Sequence, residues 1–161
     1  MQFFSNQFYS SQRIIQVVNT QTGAVATGTT VMPGDDTIPQ ITEGDQYMSL
    51  AITPGNASNL LLIEVVCHIS NNSATQKLVA ALFQDAIANA LACSAHEMLT
   101  ATNPACLKIQ YYMAAGTVAE TTFRVRCGSQ NVGTTTFNGS NSARLYGGVL
   151  TSSITITEIK A

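Results

Sequence analysis

The sequence predicts an all-β protein, an antiparallel β-sandwich of jelly-roll type, on three observations. Apolar and polar residues alternate with period two in several separate segments, which is the spacing of half-buried strands. Turn residues punctuate the chain roughly every ten to fifteen residues, and no helical stretch alternates with the strands as a parallel sheet would require. Charged residues are only 10% of the 161, so Ser, Thr, Asn and Gln must supply most of the polar surface.

Arg13–Asn19 is short and β-branched and predicts the first strand. A turn at Gln21-Thr22-Gly23 and a second short strand follow, and Met32-Pro33-Gly34-Asp35-Asp36 turns at its Pro-Gly step. Met48, Leu50 and Ile52 alternate with Tyr47, Ser49 and Ala51, and Pro54-Gly55-Asn56 ends that strand. Leu61, Ile63, Val65, Cys67 and Ile69 then share one apolar face, while Leu60, Leu62, Glu64, Val66, His68 and Ser70 make a mixed one. Asn71-Asn72-Ser73 turns the chain back.

Residues 77–99 are ambiguous. Leu78, Leu82 and the many alanines favour a helix by propensity. A strand would place Val79, Ala81 and Phe83 on one face, end near Asp85 and leave an Ala/Asn-rich loop behind it. Leu107, Ile109, Tyr111 and Met113 alternate with polar residues, and Ala115-Gly116 turns. Phe123, Val125 and Cys127 alternate with Arg124 and Arg126 in the clearest half-exposed strand of the chain. Thr134–Phe137 is a short strand, and Asn138-Gly139-Ser140-Asn141-Ser142 is a turn-rich connection in which Asn-Gly is a hairpin signal. Residues 144–161 read as a strand pair broken by Gly147-Gly148, where the chain is expected to bend or two backbones to approach closely. Ile154 and Ile156 face one way there, and Thr155, Thr157 and Ile159 the other. One sandwich domain is expected over 12–161, preceded by an arm, 1–11, whose Phe3, Phe4, Phe8 and Tyr9 suit docking on a neighbour.

Composition excludes some classes of function. No Lys/Arg cluster can neutralise a row of phosphates, so nucleic-acid binding is not expected. The longest apolar runs are too short to span a bilayer, and the N-terminus lacks the basic start and apolar middle of a secretory signal. The low-charge, Thr/Ser/Asn-rich profile suits extracellular and viral β-proteins, reached here without a signal peptide, for instance by lysis.

Of the four cysteines, Cys67 and Cys127 occupy inward strand slots and read as small hydrophobes, whereas Cys93 and Cys106 flank one loop and can bridge it. Cys93 with His96 is a single pair, without the second pair that a zinc site needs. Asp35, Asp36, Glu43 and Asp45 surround one loop. Calcium accepts such ligands, but the spacing fits no dedicated calcium loop and favours solvated charge.

Several segments, taken in their order along the chain, resemble the C-terminal domains of tailed-phage tail-fibre and related virion proteins. They are Arg13-Ile14-Ile15-Gln16-Val17-Val18, Asp36-Thr37-Ile38-Pro39-Gln40, Glu43-Gly44-Asp45-Gln46-Tyr47-Met48, Ile52-Thr53-Pro54 with the hydrophobic strand after it, Ala81-Leu82-Phe83-Gln84-Asp85-Ala86, Tyr112-Met113-Ala114-Ala115-Gly116-Thr117, Phe123-Arg124-Val125-Arg126 and the ending from Gly147 to Ile156. The likeness covers about residues 12–161. It implies a jelly roll similar in outline to tumour-necrosis-factor and C1q heads, assembled as a homotrimer on the virion. It also implies a strand at 81–85, against helical propensity.

Candidate sites follow from residue chemistry. Asn71, Asn72, Asn131, Asn138 and Asn141 on turns, with Tyr146, offer amides and a ring to a glycan; they equally suit ordinary turns. Tyr112, Arg124, Arg126 and Ile159, with the arm aromatics, are candidate subunit contacts, and Arg124 and Arg126 also suit an anionic sugar. His68 lies four residues from Glu64 on a strand, too far for proton transfer, and His96 with Glu97 lacks a nucleophile. No enzyme, cofactor or metal is expected. A polysaccharide hydrolase would need two carboxylates facing one cleft, and no pair nominates itself. The expected function is a phage virion appendage, resembling a tail fibre, that binds a host-surface receptor such as a glycan. The alternative is a capsid or tail decoration protein that cements the particle without binding a receptor. Either places the chain in the virion, assembled in the host cytoplasm and extracellular after release, with itself and other virion proteins as partners.

Overall fold

A computed structural model describes residues 13–161. The arm at 1–11, with Phe3, Phe4, Phe8 and Tyr9, lies outside the described residues. Among the described residues twelve strands form: β1 (Ile14–Thr22), β2 (Ala26–Gly28), β3 (Asp45–Ile52), β4 (Leu60–Asn71), β5 (Gln76–Gln84), β6 (Ala92–Met98), β7 (Ala105–Ala114), β8 (Thr121–Ser129), β9 (Thr135–Phe137), β10 (Gly139–Ser140), β11 (Ala143–Arg144) and β12 (Ser152–Ile159). All pairings between them are antiparallel. One sheet runs β1-β12-β4-β9-β2, with β7 also on β4, and the other runs β3-β8-β5-β6. Counting only the eight long strands in chain order, the sheets read 1-8-3-6 and 2-7-4-5, the order of a jelly roll.

The alternating strands make the core between the sheets. Leu61, Ile63, Val65, Cys67 and Ile69 of β4 meet Phe123, Val125 and Cys127 of β8, with Ile154 and Ile156 of β12 beside them. β5 is a strand, as expected, and its sequence is ambiguous because it is covered on both faces. Leu78, Ala80 and Leu82 enter the main core, while Val79, Ala81 and Phe83 meet Met32 in a second, smaller one. A strand buried on both sides shows no alternation, so its Leu and Ala content imitates a helix. The segment that carries Met32 crosses the outside of the second sheet: Met32 N–H donates to Ser129 O (3.0 Å) and Gly44 N–H to Val31 O (3.0 Å).

Several expectations are corrected. The loop expected after Asp85 contains an additional strand, β6, paired along β5 from Gln76↔Met98 to Leu82↔Ala92. β6 is an edge strand of small and polar residues, largely exposed, and so carries little hydrophobic signal. Residues 144–161 are not a strand pair: a 3-10 turn at Tyr146–Gly148 precedes the single strand β12. At the Gly147-Gly148 step the chain does bend, Gly147 having φ +63° and open space around it. Gly148 also makes a close backbone approach, to Gly23, where a side chain would strike the Gly148 carbonyl. The hairpin turns at Asn141-Ser142, both with positive φ, and not at Asn138-Gly139.

A bulge between Gln46 and Met48 turns Tyr47 inward, and it stacks on Phe137 with ring centroids 4.9 Å apart. Its hydroxyl is buried without a hydrogen-bond partner, and burial, then the nearby Asp45, pushes its pKa upward. Tyr47→Phe is therefore expected to raise stability by about 1 kcal/mol, because it removes an unsatisfied polar atom and keeps the stacked ring. Urea denaturation measures the gain, and a loss of stability would mean that the hydroxyl has a partner.

At the end of the sandwich where the described chain begins and finishes, Glu158 closes the core. It follows Ile154 and Ile156 in phase and is fully buried. Its carboxylate accepts from Asn59 Nδ2 (2.6 Å), Gln16 Nε2 (2.6 Å) and Gly55 N–H (2.9 Å). Burial pushes its pKa up, but these donors together with the Asn56 N–H outweigh that and hold it below the usual range. Neutral donors from β1 and the β3–β4 connection thus compensate a buried charge on β12 without a cation.

Candidate functional site

The outer face of the first sheet is the mixed face predicted for β4. Register places Ile14, Ile159, Leu60 and Ala114 side by side across β1, β12, β4 and β7. The next row is Val17, Thr157, Leu62 and Tyr112. Ile14 is 60% exposed, Val17 54% and Tyr112 47%, while Leu60, Leu62 and Ile159 are half-buried. Two adjacent rows of mostly apolar side chains therefore lie bare on a sheet. The following row, Asn19, Thr155, Glu64 and Gln110, is polar and bonded along itself: Asn19 Nδ2 donates to Thr155 Oγ1 (2.8 Å) and Gln110 Nε2 to Glu64 Oε1 (3.4 Å). Lys108 stands one row further on, opposite Val66. Tyr112 and Ile159, both predicted subunit contacts, belong to the apolar rows.

The connections β4–β5, β6–β7, β8–β9 and β10–β11 gather at the opposite end from Glu158. Thr134 N–H donates to Asn72 Oδ1 (2.8 Å), Gln130 N–H to Lys77 O (3.0 Å) and Thr102 N–H to Asn71 O (2.7 Å). Asn72, Asn131, Asn141 and Tyr146 are exposed at this end. Asn71 and Asn138 are corrected: both are fully buried and cannot face a glycan. Asn71 Nδ2 donates to Ser129 Oγ (2.9 Å) and its Oδ1 accepts from Gln76 Nε2 (2.9 Å) and Ser73 N–H (2.9 Å). Asn138 Nδ2 donates to Thr22 O (2.8 Å) and Ala24 O (3.1 Å), and its Oδ1 accepts from Ser152 Oγ (2.6 Å). These amides hold the loop end together because each side chain can satisfy several backbone and hydroxyl groups at once.

Arg124 and Arg126 are engaged within their own chain. Arg126 donates from Nε to Glu43 O (2.8 Å) and from a terminal nitrogen to Gly44 O (2.7 Å), and Arg124 donates to the carbonyl of Asp85. The acidic loop residues are likewise separate. Asp35 accepts from Thr37 N–H (2.9 Å) and Oγ1 (2.6 Å), and these bonds hold its carboxyl below the usual range. Glu43 accepts from Gln40 N–H (2.8 Å), and Asp45 from Thr30 N–H (3.0 Å) and Oγ1 (2.8 Å). Among the described residues no three Asp, Glu, His or Cys side chains converge as a metal would require. His68 stands opposite Cys106 on the outer face, and its Nδ1 has no partner. Cys93 and Cys106 are exposed and unbridged, on strands of different sheets. The pair the fold brings together is Cys67 and Cys127.

A concavity of about 410 Å³ lies between residues 35–39 and 90–93, bordered by Asp36, Ile38, Leu91 and Cys93. It contains no nucleophile with an aligned base and no opposed carboxylates. The apolar rows on the first sheet were not picked out as a surface from the sequence. Their signal was present in the pairs Ile14-Ile15 and Val17-Val18, apolar on both strand faces, and in Leu60 and Leu62 on the mixed face.

No protein-family model matches the sequence, and no characterised protein aligns with it significantly. The phage tail-fibre resemblance therefore rests on the quoted segments alone. Solved structures with similar folds include Eiger TNF from S. frugiperda, at 10% identity and TM-score 0.46, covering 90% of this chain and 92% of that one. Infectious bursal disease virus Gt strain matches at 13% identity and TM-score 0.42, covering 94% of this chain and 38% of that one. The enzymatically active domain of bacteriophage CBA120 tailspike protein 4 matches at 16% identity and TM-score 0.32, over 77% of this chain and 19% of that one. These likenesses are remote, and the chain's own geometry is the basis for what it does.

Proposed function

We propose that the protein is a non-enzymatic virion structural protein of a bacteriophage: a homotrimeric, tail-fibre-like appendage that turns its loop end toward a host-surface glycan. The observation that carries this reading is the pair of bare apolar rows, Ile14–Ile159–Leu60–Ala114 and Val17–Thr157–Leu62–Tyr112. Contiguous exposed apolar surface on a folded domain marks a contact with another protein. Glu64 and Lys108 put both signs of charge on the same face, which suits a second copy of the chain. Asn72, Asn131, Asn141 and Tyr146 lie exposed at the loop end, the end that the appendage would turn outward.

Sedimentation should give three times the mass of the single chain, and antibody labelling of particles should mark the tail tip. The N141A/Y146A variant should keep its trimer and lose at least tenfold in binding to host cells. A stable monomer, or undiminished binding by this variant, overturns the corresponding part of the reading. A second reading, a decoration protein, is favoured by Leu99, Val132 and Val149, all strongly exposed at the loop end and better suited to protein than to sugar. Labelling over the whole capsid lattice would select it.

A further inference from the structure

We propose that Cys67 and Cys127 form a disulfide that ties the two sheets together through the core once the protein meets an oxidising environment. Cys67 is on β4 of the first sheet and Cys127 on β8 of the second. Their sulfurs are 3.1 Å apart. That is already closer than the optimum of about 3.5–4.0 Å for two non-bonded carbon atoms, although sulfur is larger. Bond formation requires the sulfurs to close to about 2.05 Å, a movement of the order of 1 Å. Both side chains are fully buried in the main core, in contact with each other.

The reaction needs an oxidant, and a small-molecule disulfide such as oxidised glutathione supplies it. One cysteine thiolate attacks a sulfur of that disulfide and expels one glutathione thiolate. The second cysteine thiolate attacks the mixed disulfide at the protein sulfur and expels the other. The protein loses two protons and two electrons, and one disulfide is reduced to two thiols. Burial pushes the Cys127 thiol well up, and the hydrogen bond and proximity of Cys67 add to it, so thiolate is scarce in the closed fold. The exchange therefore occurs during folding or on opening of the sandwich, and the finished bond is shielded from reductants. A glutathione-buffered cytoplasm keeps the pair reduced, and an oxidising exterior allows the bridge. The link closes a loop between residues 60 positions apart, so the bridged chain should resist unfolding far better than the reduced one.

The test uses the full chain carrying C93S/C106S, which alters only exposed positions and leaves a single possible intramolecular bridge. The protein is unfolded, refolded in a buffer of oxidised and reduced glutathione, purified, and unfolded again with maleimide present. The expected result is a chain about 2 Da lighter than its reduced form that takes no label. A proteolytic fragment should hold both cysteines, and the thermal midpoint should rise by roughly 10 °C over the reduced protein. Two labelled thiols, glutathione adducts, or a dimer linked between chains would each overturn the proposal. Wild type that bridges Cys93 to Cys106 in place of this pair would overturn it as well.

Discussion

Replacing Glu158 by glutamine is expected to destabilise the fold by about 3 kcal/mol, because hydrogen bonds to a charged acceptor are the strong ones. The carboxylate accepts on both oxygens, from Asn59 and Gly55 on one and Gln16 on the other. An amide has one oxygen, so its NH2 group would face a donor with nothing to accept it. The pH dependence carries a second signature. The folded carboxyl is held below its ordinary value of 4.5. Its stabilisation is thus fully present above the unfolded pKa and is lost as pH falls through the folded one. Wild type should lose stability below about pH 4.5 as this group protonates, and E158Q should lack that component. Thermal unfolding of both proteins between pH 3 and 7 measures the difference. Parallel profiles would show that the carboxylate is not the group responsible.

Leu62→Asp is expected to convert the proposed trimer to a monomer without unfolding it. Leu62 is the centre of the row Val17–Thr157–Leu62–Tyr112, on the outer face, so a carboxylate there is solvated in the single chain. In an assembly it would be a desolvated charge with no partner, costing several kcal/mol at each contact. Sedimentation should show the single-chain mass at concentrations where wild type is assembled, and circular dichroism should be unchanged. Leu62→Asn, polar but uncharged, should weaken assembly less. If L62D assembles as wild type does, the face is not the contact.

How legible each feature was depends on how many sides of a residue are constrained. β4 and β8 could be read directly, since one face of each is apolar and the sequence alternates. β5 could not, because the segment around Met32 covers its second face and erases the alternation. β6 failed for the opposite reason: almost nothing packs on it, so its composition is that of a loop. Glu158 was invisible as a core residue because its acceptability depends on donors far away in sequence, at Gln16 and at 55–59. The cysteines show the same limit. Inward phase could be read at Cys67 and at Cys127 separately, but periodicity cannot say which residue of the facing layer stands opposite. The asparagines looked alike as letters, yet Asn71 and Asn138 hold loops from inside while Asn72 and Asn141 stand outside.

The strap of chain over β5 has a consequence for growth. A two-layer sandwich has two outer sides, and if both were bare, copies could stack indefinitely. Met32 and its neighbours roof β5 on one of them, so the proposed contact is left to the apolar rows of the other. In the proposed trimer, units meeting through that face would saturate one another in a small closed group and stop, giving a finite assembly in place of a filament.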